Sequence, residues 1–349
     1  MNPIPVGVLG ATGVVGQRYV QLLCEHPWFE VRALAASDRS AGARYGEVCD
    51  WLLPTPIPER IAGLAVDPVE PNLDCRLVFS ALPSDVAGAS EEQFAESGYI
   101  VCSNAASHRM DEDVPLLIPE VNPDHTGLIS LQRTRRRWKG MIVTNPNCST
   151  TQLMLALKPL HEAFGLRAVS VVTMQAVSGA GYPGVPSMDI VGNVIPWIGG
   201  EEDKVEEEPG KLLGSFDGRL VNSAPFAVSA QCNRVPVRDG HTECVSVRFE
   251  RRPDIDAILS VLEDFRGTPE VAGLPSSPAQ PVRVRRDNDR PQPILDRDRG
   301  EGMTVTVGRV RPCPVFDAKF VVLGHNTVRG AAGGSIHTAE LLVAQGWHS

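Results

Sequence analysis

Apolar and polar positions follow two textures along the chain, and the change comes near Gly165. Before it, short apolar runs stand at residues 4–9, 31–35, 77–81, 99–102 and 141–144. Between them, residues 17–24 and 90–97 carry apolar side chains at helical spacing. Strands and helices alternating in this way predict a parallel, doubly wound sheet with helices on both faces. After Gly165 the runs lengthen and alternate with period two, at 168–176, 242–249, 303–311 and 316–323. That pattern predicts a mixed or antiparallel sheet, covered on one face by a helix over 254–265. A last helix is expected over 336–345, after Gly330-Ala331-Ala332-Gly333-Gly334, returning to the first part of the chain. Residues 283–302, rich in Arg, Asp and Pro, and the basic stretch 132–139 are expected as solvated surface loops.

The first run, Ile4-Pro5-Val6-Gly7-Val8-Leu9, leads into Gly10-Ala11-Thr12-Gly13-Val14-Val15-Gly16 and then into a helical pattern. Strand, glycine turn and helix in this order are the context a dinucleotide site needs. Gly10 and Gly13 let the main chain approach a pyrophosphate, Gly16 lets helix and strand pack closely, and the phosphates lie on the first turn of the helix. The expected fold is therefore α/β: a Rossmann-type domain over residues 1–147, joined by the returning segment 330–349, and an α+β domain with a mixed sheet over 148–329. The second strand runs into Ser37-Asp38-Arg39-Ser40. An acidic residue here binds ribose hydroxyls and favours NAD, whereas an arginine receives a 2′-phosphate and favours NADP. Both are present. Arg39 between two hydroxyls forms a phosphate cup and tilts the reading to NADP(H); a polar loop without readout is the bland alternative.

Composition sets limits. A chain of 349 residues fits two domains, and a hydrophobic content of 42% suffices for sizeable cores. A formal charge of −9 argues against nucleic acid or an anionic membrane as partner. No apolar run is long enough to span a bilayer, and the first strand begins too close to Met1 for a signal peptide. The eight cysteines show no C-x-x-C spacing, and several sit inside apolar runs. Free thiols, no metal site and a cytoplasmic location are expected.

Cys148 carries the chemistry. It lies in Asn145-Pro146-Asn147-Cys148-Ser149-Thr150, between a strand pattern and a helix pattern. A thiol at a helix N-terminus sits at the positive end of the dipole beside unpaired N–H groups, which favour the nucleophilic thiolate and can serve an oxyanion. With a dinucleotide site in the same chain, this predicts hydride transfer through a thioester. The sulfur needs a base. His241, opening a strand after Arg238-Asp239-Gly240, is the favoured histidine, though only weakly by spacing; His161 is more than two turns from Cys148, and His26, His125 and His348 have bland settings. Arg234 can grip a carboxylate through two parallel hydrogen bonds. Gln175 precedes the glycine-rich Ser178-Gly179-Ala180-Gly181, which can approach a nicotinamide ring, and Arg109 follows a parallel strand. Glu201 and Lys204 read by themselves as the solvated start of an acidic helix.

Jointly, Asn145–Thr150, Gln175 with Ser178–Gly181, Gly200-Glu201-Glu202-Asp203-Lys204, Asn233-Arg234-Val235-Pro236-Val237 leading to His241, and the closing Gly324-His325-Asn326-Thr327-Val328-Arg329-Gly330 resemble the aspartate-β-semialdehyde dehydrogenases of the archaeal and fungal branch. The resemblance spans the chain. It implies Cys148 as nucleophile, His241 as acid/base, and Gln175 orienting substrate and acyl intermediate. It implies Arg234 on the substrate α-carboxylate, Glu201 on its ammonium group, and Arg109, Lys204 and Asn147 on phosphate. Gly10, Thr12, Gly13, Val14 and Val15 then hold the dinucleotide backbone, Ser37, Arg39 and Ser40 the 2′-phosphate, and Ser178, Gly179 and Asn326 the nicotinamide end. A homodimer or homotetramer paired through the second domain is implied too. Malonyl-CoA reductase resembles the same branch, N-acetyl-glutamyl-phosphate reductase shares the logic, and a catalytically idle scaffold is the more distant rival.

Overall fold

The computed structural model describes residues 3–348. Strands β1 (Ile4–Leu9), β2 (Phe29–Ala35), β3 (Val66–Asp67), β4 (Leu77–Ser80), β5 (Ile100–Ser103) and β6 (Met141–Thr144) form one sheet in the order β3-β2-β1-β4-β5-β6, every pair parallel. The order reverses between β1 and β4, where ligands of such sheets bind. Strands β4, β5 and β6 are buried at every position because layers cover both faces. Helix α1 (Val14–Leu23) begins directly after Gly13, three residues before the apolar periodicity. Helix α2 (Ser84–Glu96) likewise starts ahead of the expected 90–97, because its exposed first residues, Ser84 to Val86, show no apolar spacing.

The basic stretch is only partly a loop, since residues 132–136 are helical. Helix α3 (Leu128–Arg136) buries Leu128, Ile129 and Gln132, and Arg136 donates hydrogen bonds to Glu92, Asp111 and Asp113. Arg136 looks solvated in sequence because its carboxylate partners come from distant segments, while Arg135, Arg137 and Lys139 are exposed as expected.

The second sheet holds β7 (Leu166–Gln175), β8 (Ala227–Arg234), β9 (His241–Phe249), β10 (Val282–Arg285), β11 (Val305–Pro312) and β12 (Ala318–Gly324), in the order β8-β7-β9-β12-β11-β10. The pairs β8–β7 and β10–β11 are parallel and the rest antiparallel, so the sheet is mixed as expected. Helix α4 (Cys148–Phe164) lies on the buried face with Val171, Val245, Val247 and Phe320. Helix α5 (Glu201–Leu212) packs along β8, and α6 (Ile255–Asp264) is capped by Asp254, whose carboxylate accepts from Ala257 N–H. Residues 283–302 are only partly loop. They contain most of β10 and a short helix, Pro293–Asp296, and they fold around Asp296, which accepts from Arg290, Arg299 and Gln292 N–H. After a π-helical turn, Val328–Ala332, helix α7 (Gly333–Ala344) returns to the first sheet. Its Ile336, Ala339, Leu342 and Val343 join the core around Val8, Tyr19 and Phe79.

Candidate active site

Helix α4 starts at Cys148 because Asn147 caps it: the Asn147 Oδ1 accepts from Ser149 N–H (2.9 Å) and Thr150 N–H (3.2 Å). The Cys148 Sγ lies 3.2 Å from His241 Nε2. The imidazole is fixed from behind, since Ala176 N–H donates to Nδ1 at 3.0 Å. A neutral ring accepting at Nδ1 carries its proton on Nε2, so that proton faces the sulfur. Burial, reinforced by Arg234 and then His325, pushes His241 down to about 3. Burial and next the Glu201 charge push the Cys148 thiol up to about 12, against the pull of Arg109, Arg234 and Ser149 N–H. Burial thus favours the uncharged forms of both thiol and imidazole and opposes the thiolate that the helix terminus favours. One expectation is corrected. Two of the first-turn N–H groups expected to serve an oxyanion are taken by the Asn147 cap.

The acidic run opening α5 is not a solvated helix start. Glu201 is 7% exposed; its Oε1 accepts from Asn147 Nδ2 (2.6 Å) and Gln175 Nε2 (3.1 Å), and its Oε2 from Lys204 Nζ (3.3 Å). Glu202 and Glu206 accept from Cys232 and Ala230 N–H on edge strand β8, which pins the helix to the sheet. Register places Arg234 opposite Gln175 and His241 opposite Gly324, with Thr242 opposite Met174, so Arg234, Gln175 and His241 meet at one end of the sheet. Arg234 Nη1 donates to Ala176 O (2.8 Å), and Asn326 bridges Gly240 N–H and Ser178 Oγ (2.9 and 2.8 Å).

A cavity of about 780 Å³ runs from the glycine turn to the cysteine. Thr12, Gly13, Val14 and Val15 line one end; Arg109, Asn147, Cys148, Glu201 and Lys204 line the other, with Ser178, Gly179 and Asn326 between the sheets. Gln175, Arg234 and His241 are buried beneath that lining. A dinucleotide fits the first end on its backbone: Gly13 caps α1 without a side chain, and a Cβ on Gly16 would stand 2.2 Å from Gly10 O, so helix and turn touch as closely as main chains can. Ser37, Arg39 and Ser40 form a turn at the carboxyl end of β2, closed by Ser40 N–H on Ser37 O (2.8 Å), with Arg39 exposed and outside the cavity wall.

Comparison with known proteins agrees with this architecture. A family model described as semialdehyde dehydrogenase, NAD binding domain, matches residues 5–129, and one described as semialdehyde dehydrogenase, dimerisation domain, matches 157–329. An aspartate-semialdehyde dehydrogenase of Archaeoglobus fulgidus is 55% identical over 341 residues, covering 97% of this chain and 98% of that protein. That of Cryptococcus neoformans is 48% identical over 362 residues, covering 99% of each. The crystal structure of aspartate semialdehyde dehydrogenase with NADP from Candida albicans superposes with a TM-score of 0.90 at 44% identity, covering 99% of both chains. The chain belongs to the aspartate-semialdehyde dehydrogenase family.

Two side chains that hold Arg109 escaped the sequence reading. Glu208, seven residues after Glu201 and on the same side of α5, accepts from Arg109 Nη1 (2.8 Å) and from Asn147 N–H (2.6 Å). Lys211 Nζ donates to the carbonyls of Arg109, Asp111 and Val114 (2.7, 2.7 and 2.8 Å), and burial lowers it to about 8. Together they hold Arg109 at the cavity wall. The i, i+7 spacing of Glu201 and Glu208 was the available signal; the long acidic run around them hid it. Asn147, expected on phosphate, has both ends of its amide engaged, by the cap and by Glu201.

Proposed function

We propose that this chain catalyses the NADPH-dependent reductive dephosphorylation of L-aspartyl 4-phosphate to L-aspartate 4-semialdehyde, and its reverse, through a thioester on Cys148. The observation that carries the reading is the 3.2 Å contact of Cys148 Sγ with His241 Nε2 at one end of a cavity whose other end is a glycine turn on a helix N-terminus. Glu201 and Arg234, of opposite charge, flank the sulfur and suit the ammonium and α-carboxylate of a free amino acid; a substrate lacking either leaves a site charge unpaired.

Substrate ammonium at Glu201 cancels the charge that helps keep the thiol protonated. The Nε2–H of His241 then steadies the sulfur anion. The sulfur bonds to the acyl carbon as the thiol proton passes to the departing phosphate, which leaves with the electrons of its carbon–oxygen bond toward Arg109 and Lys204 as hydrogen phosphate. NADPH, when bound, supplies the hydride that reduces the thioester carbon. The resulting thiohemiacetal oxyanion re-forms a carbonyl and expels the sulfur, which His241 again receives in a hydrogen bond. Gln175, 3.1 Å from Glu201, orients the acyl group. The expelled sulfur takes up one proton to restore the thiol, which is the proton consumed overall, and the products are aldehyde, NADP⁺ and hydrogen phosphate.

Residues 1–147 with 330–349 serve the dinucleotide, and 148–329 serve catalysis and pairing. Arg39 with Ser37 and Ser40 reads the 2′-phosphate. Two copies pair through the open face of the second sheet, where Val172, Met174, Cys244 and Val321 point away from α4, as a homodimer or a dimer of dimers. The setting is cytoplasmic synthesis of the aspartate-family amino acids; no helix among the described residues is long and apolar enough to cross a membrane. The test is phosphate- or arsenate-dependent reduction of NADP⁺ with L-aspartate semialdehyde. Absence of that activity, with coenzyme A-dependent oxidation of malonate semialdehyde in its place, overturns the proposal.

A further inference from the structure

We infer that Gln152 and Glu243 are a positioning pair that locks the helix of Cys148 to the strand of His241 and so sets the separation of sulfur and imidazole. The inference deepens the proposed reaction and rests on it for the kinetic half of its test.

Gln152 stands one helical turn after Cys148 on the same side of α4 and is 1% exposed. Its Nε2 donates to His241 O (3.0 Å) and to Glu243 Oε1 (2.8 Å). One amide thus ties the nucleophile's helix to the main chain of the imidazole-bearing residue and to the side chain two positions along the same strand face. Its orientation is forced, because a carbonyl can only accept, so the amide nitrogen must face the strand. Strand β12 makes room: Gly324 is the residue paired with His241, and a Cβ there would lie 2.3 Å from Gln152 Oε1. Glu243 is fully buried, with Oε2 lacking a hydrogen-bond partner among the described residues, and burial pushes its carboxyl well above the ordinary range. A buried amide and acid are costly where aliphatic side chains would fill the same space. What they supply that leucine cannot is a fixed register between α4 and β9, which is the register that brings Sγ to Nε2. A misplacement of about 1 Å in such a pair costs on the order of 100-fold in rate.

The test has two readouts. In steady-state kinetics, Gln152→Leu and Glu243→Leu are each expected to lower kcat about 100-fold while both KM values stay within about threefold. Glu243→Gln, which keeps a carbonyl oxygen for Gln152, is expected to recover most of what Glu243→Leu loses. In a His241→Asn background, Gln152→Leu should cost less than about threefold more, since the group it positions is gone. The second readout needs no substrate: iodoacetamide labelling of Cys148, followed by peptide mass spectrometry, should slow about tenfold in Gln152→Leu and in His241→Asn alike. If the unmodified chain does not turn over the semialdehyde but labelling follows the pair, the substrate reading fails and the positioning stands. Labelling slowed by His241→Asn but untouched by Gln152→Leu and Glu243→Leu overturns the positioning, as do fully multiplicative losses in the double variant. Should Gln152→Leu not fold, Gln152→Asn, shorter by one methylene, carries the same comparison.

Discussion

The two ends of the catalytic cavity are built by different means. At the glycine-turn end, four consecutive residues, Thr12 to Val15, line the cavity, and they offer main chain and space. At the cysteine end, Asn147, Cys148, Gln175, Glu201, Arg234 and His241 arrive from separate helices and strands, and each is held by hydrogen bonds inside the protein. A backbone site is local and tolerates changes in its neighbours' side chains. A side-chain site is a network, in which one group takes part in several functions: Glu201 accepts from the helix cap, from Gln175 and from Lys204, and its charge also raises the Cys148 thiol.

Substitutions at either end sharpen that contrast. The largest effect is expected from Cys148→Ser, which should remove turnover by about 10⁴-fold or more and leave NADPH binding by fluorescence titration unchanged; an active serine variant rules out the thioester. Next comes Glu201→Gln, whose two effects should run in opposite directions. Loss of the ammonium partner should raise KM for the semialdehyde about 10- to 100-fold, the value of one charge-assisted hydrogen bond. Removing the negative charge should lower the Cys148 thiol from its raised position, so that alkylation at pH 8 speeds up by about 3- to 10-fold. Slower alkylation would show that Glu201 does not oppose the thiolate. The smallest effect is expected at the other end: Arg39→Ala should weaken NADPH about tenfold and NADH hardly at all, the loss of one charged contact to the 2′-phosphate. Equal losses for both coenzymes would mean the exposed turn does not read that group.

The legible elements were those with a period and a local boundary. Strands β1, β2 and β4 to β6, helix α6 and the return of the last helix follow from apolar spacing. Two of the misreadings share a cause. Arg136 and Glu201 look like solvated charges in sequence, yet each is held by partners from distant segments, whereas Asp296 is held within its own segment by Arg290, Arg299 and Gln292 N–H. A charged run carries no sign in its own sequence of which member will be buried, because that depends on what packs against it. The burial that pushes the Cys148 thiol up is hidden from the sequence in the same way. The position of Cys148 at a helix start is local, but its desolvation depends on what the fold packs around it.

By itself the sequence determined the doubly wound sheet, the glycine turn, the helix start at the cysteine and, through motifs spread along the chain, the family. These depend on hydrophobic period and main-chain geometry, which neighbours in sequence supply. Only the tertiary structure decided which carboxylates face the sulfur, which nitrogen of His241 carries the proton, and that Gln152, Glu208, Lys211 and Glu243 stand behind the site. Those outcomes depend on burial and on partners brought together across the fold, where a hydrogen bond or a lost hydration shell outweighs any local preference.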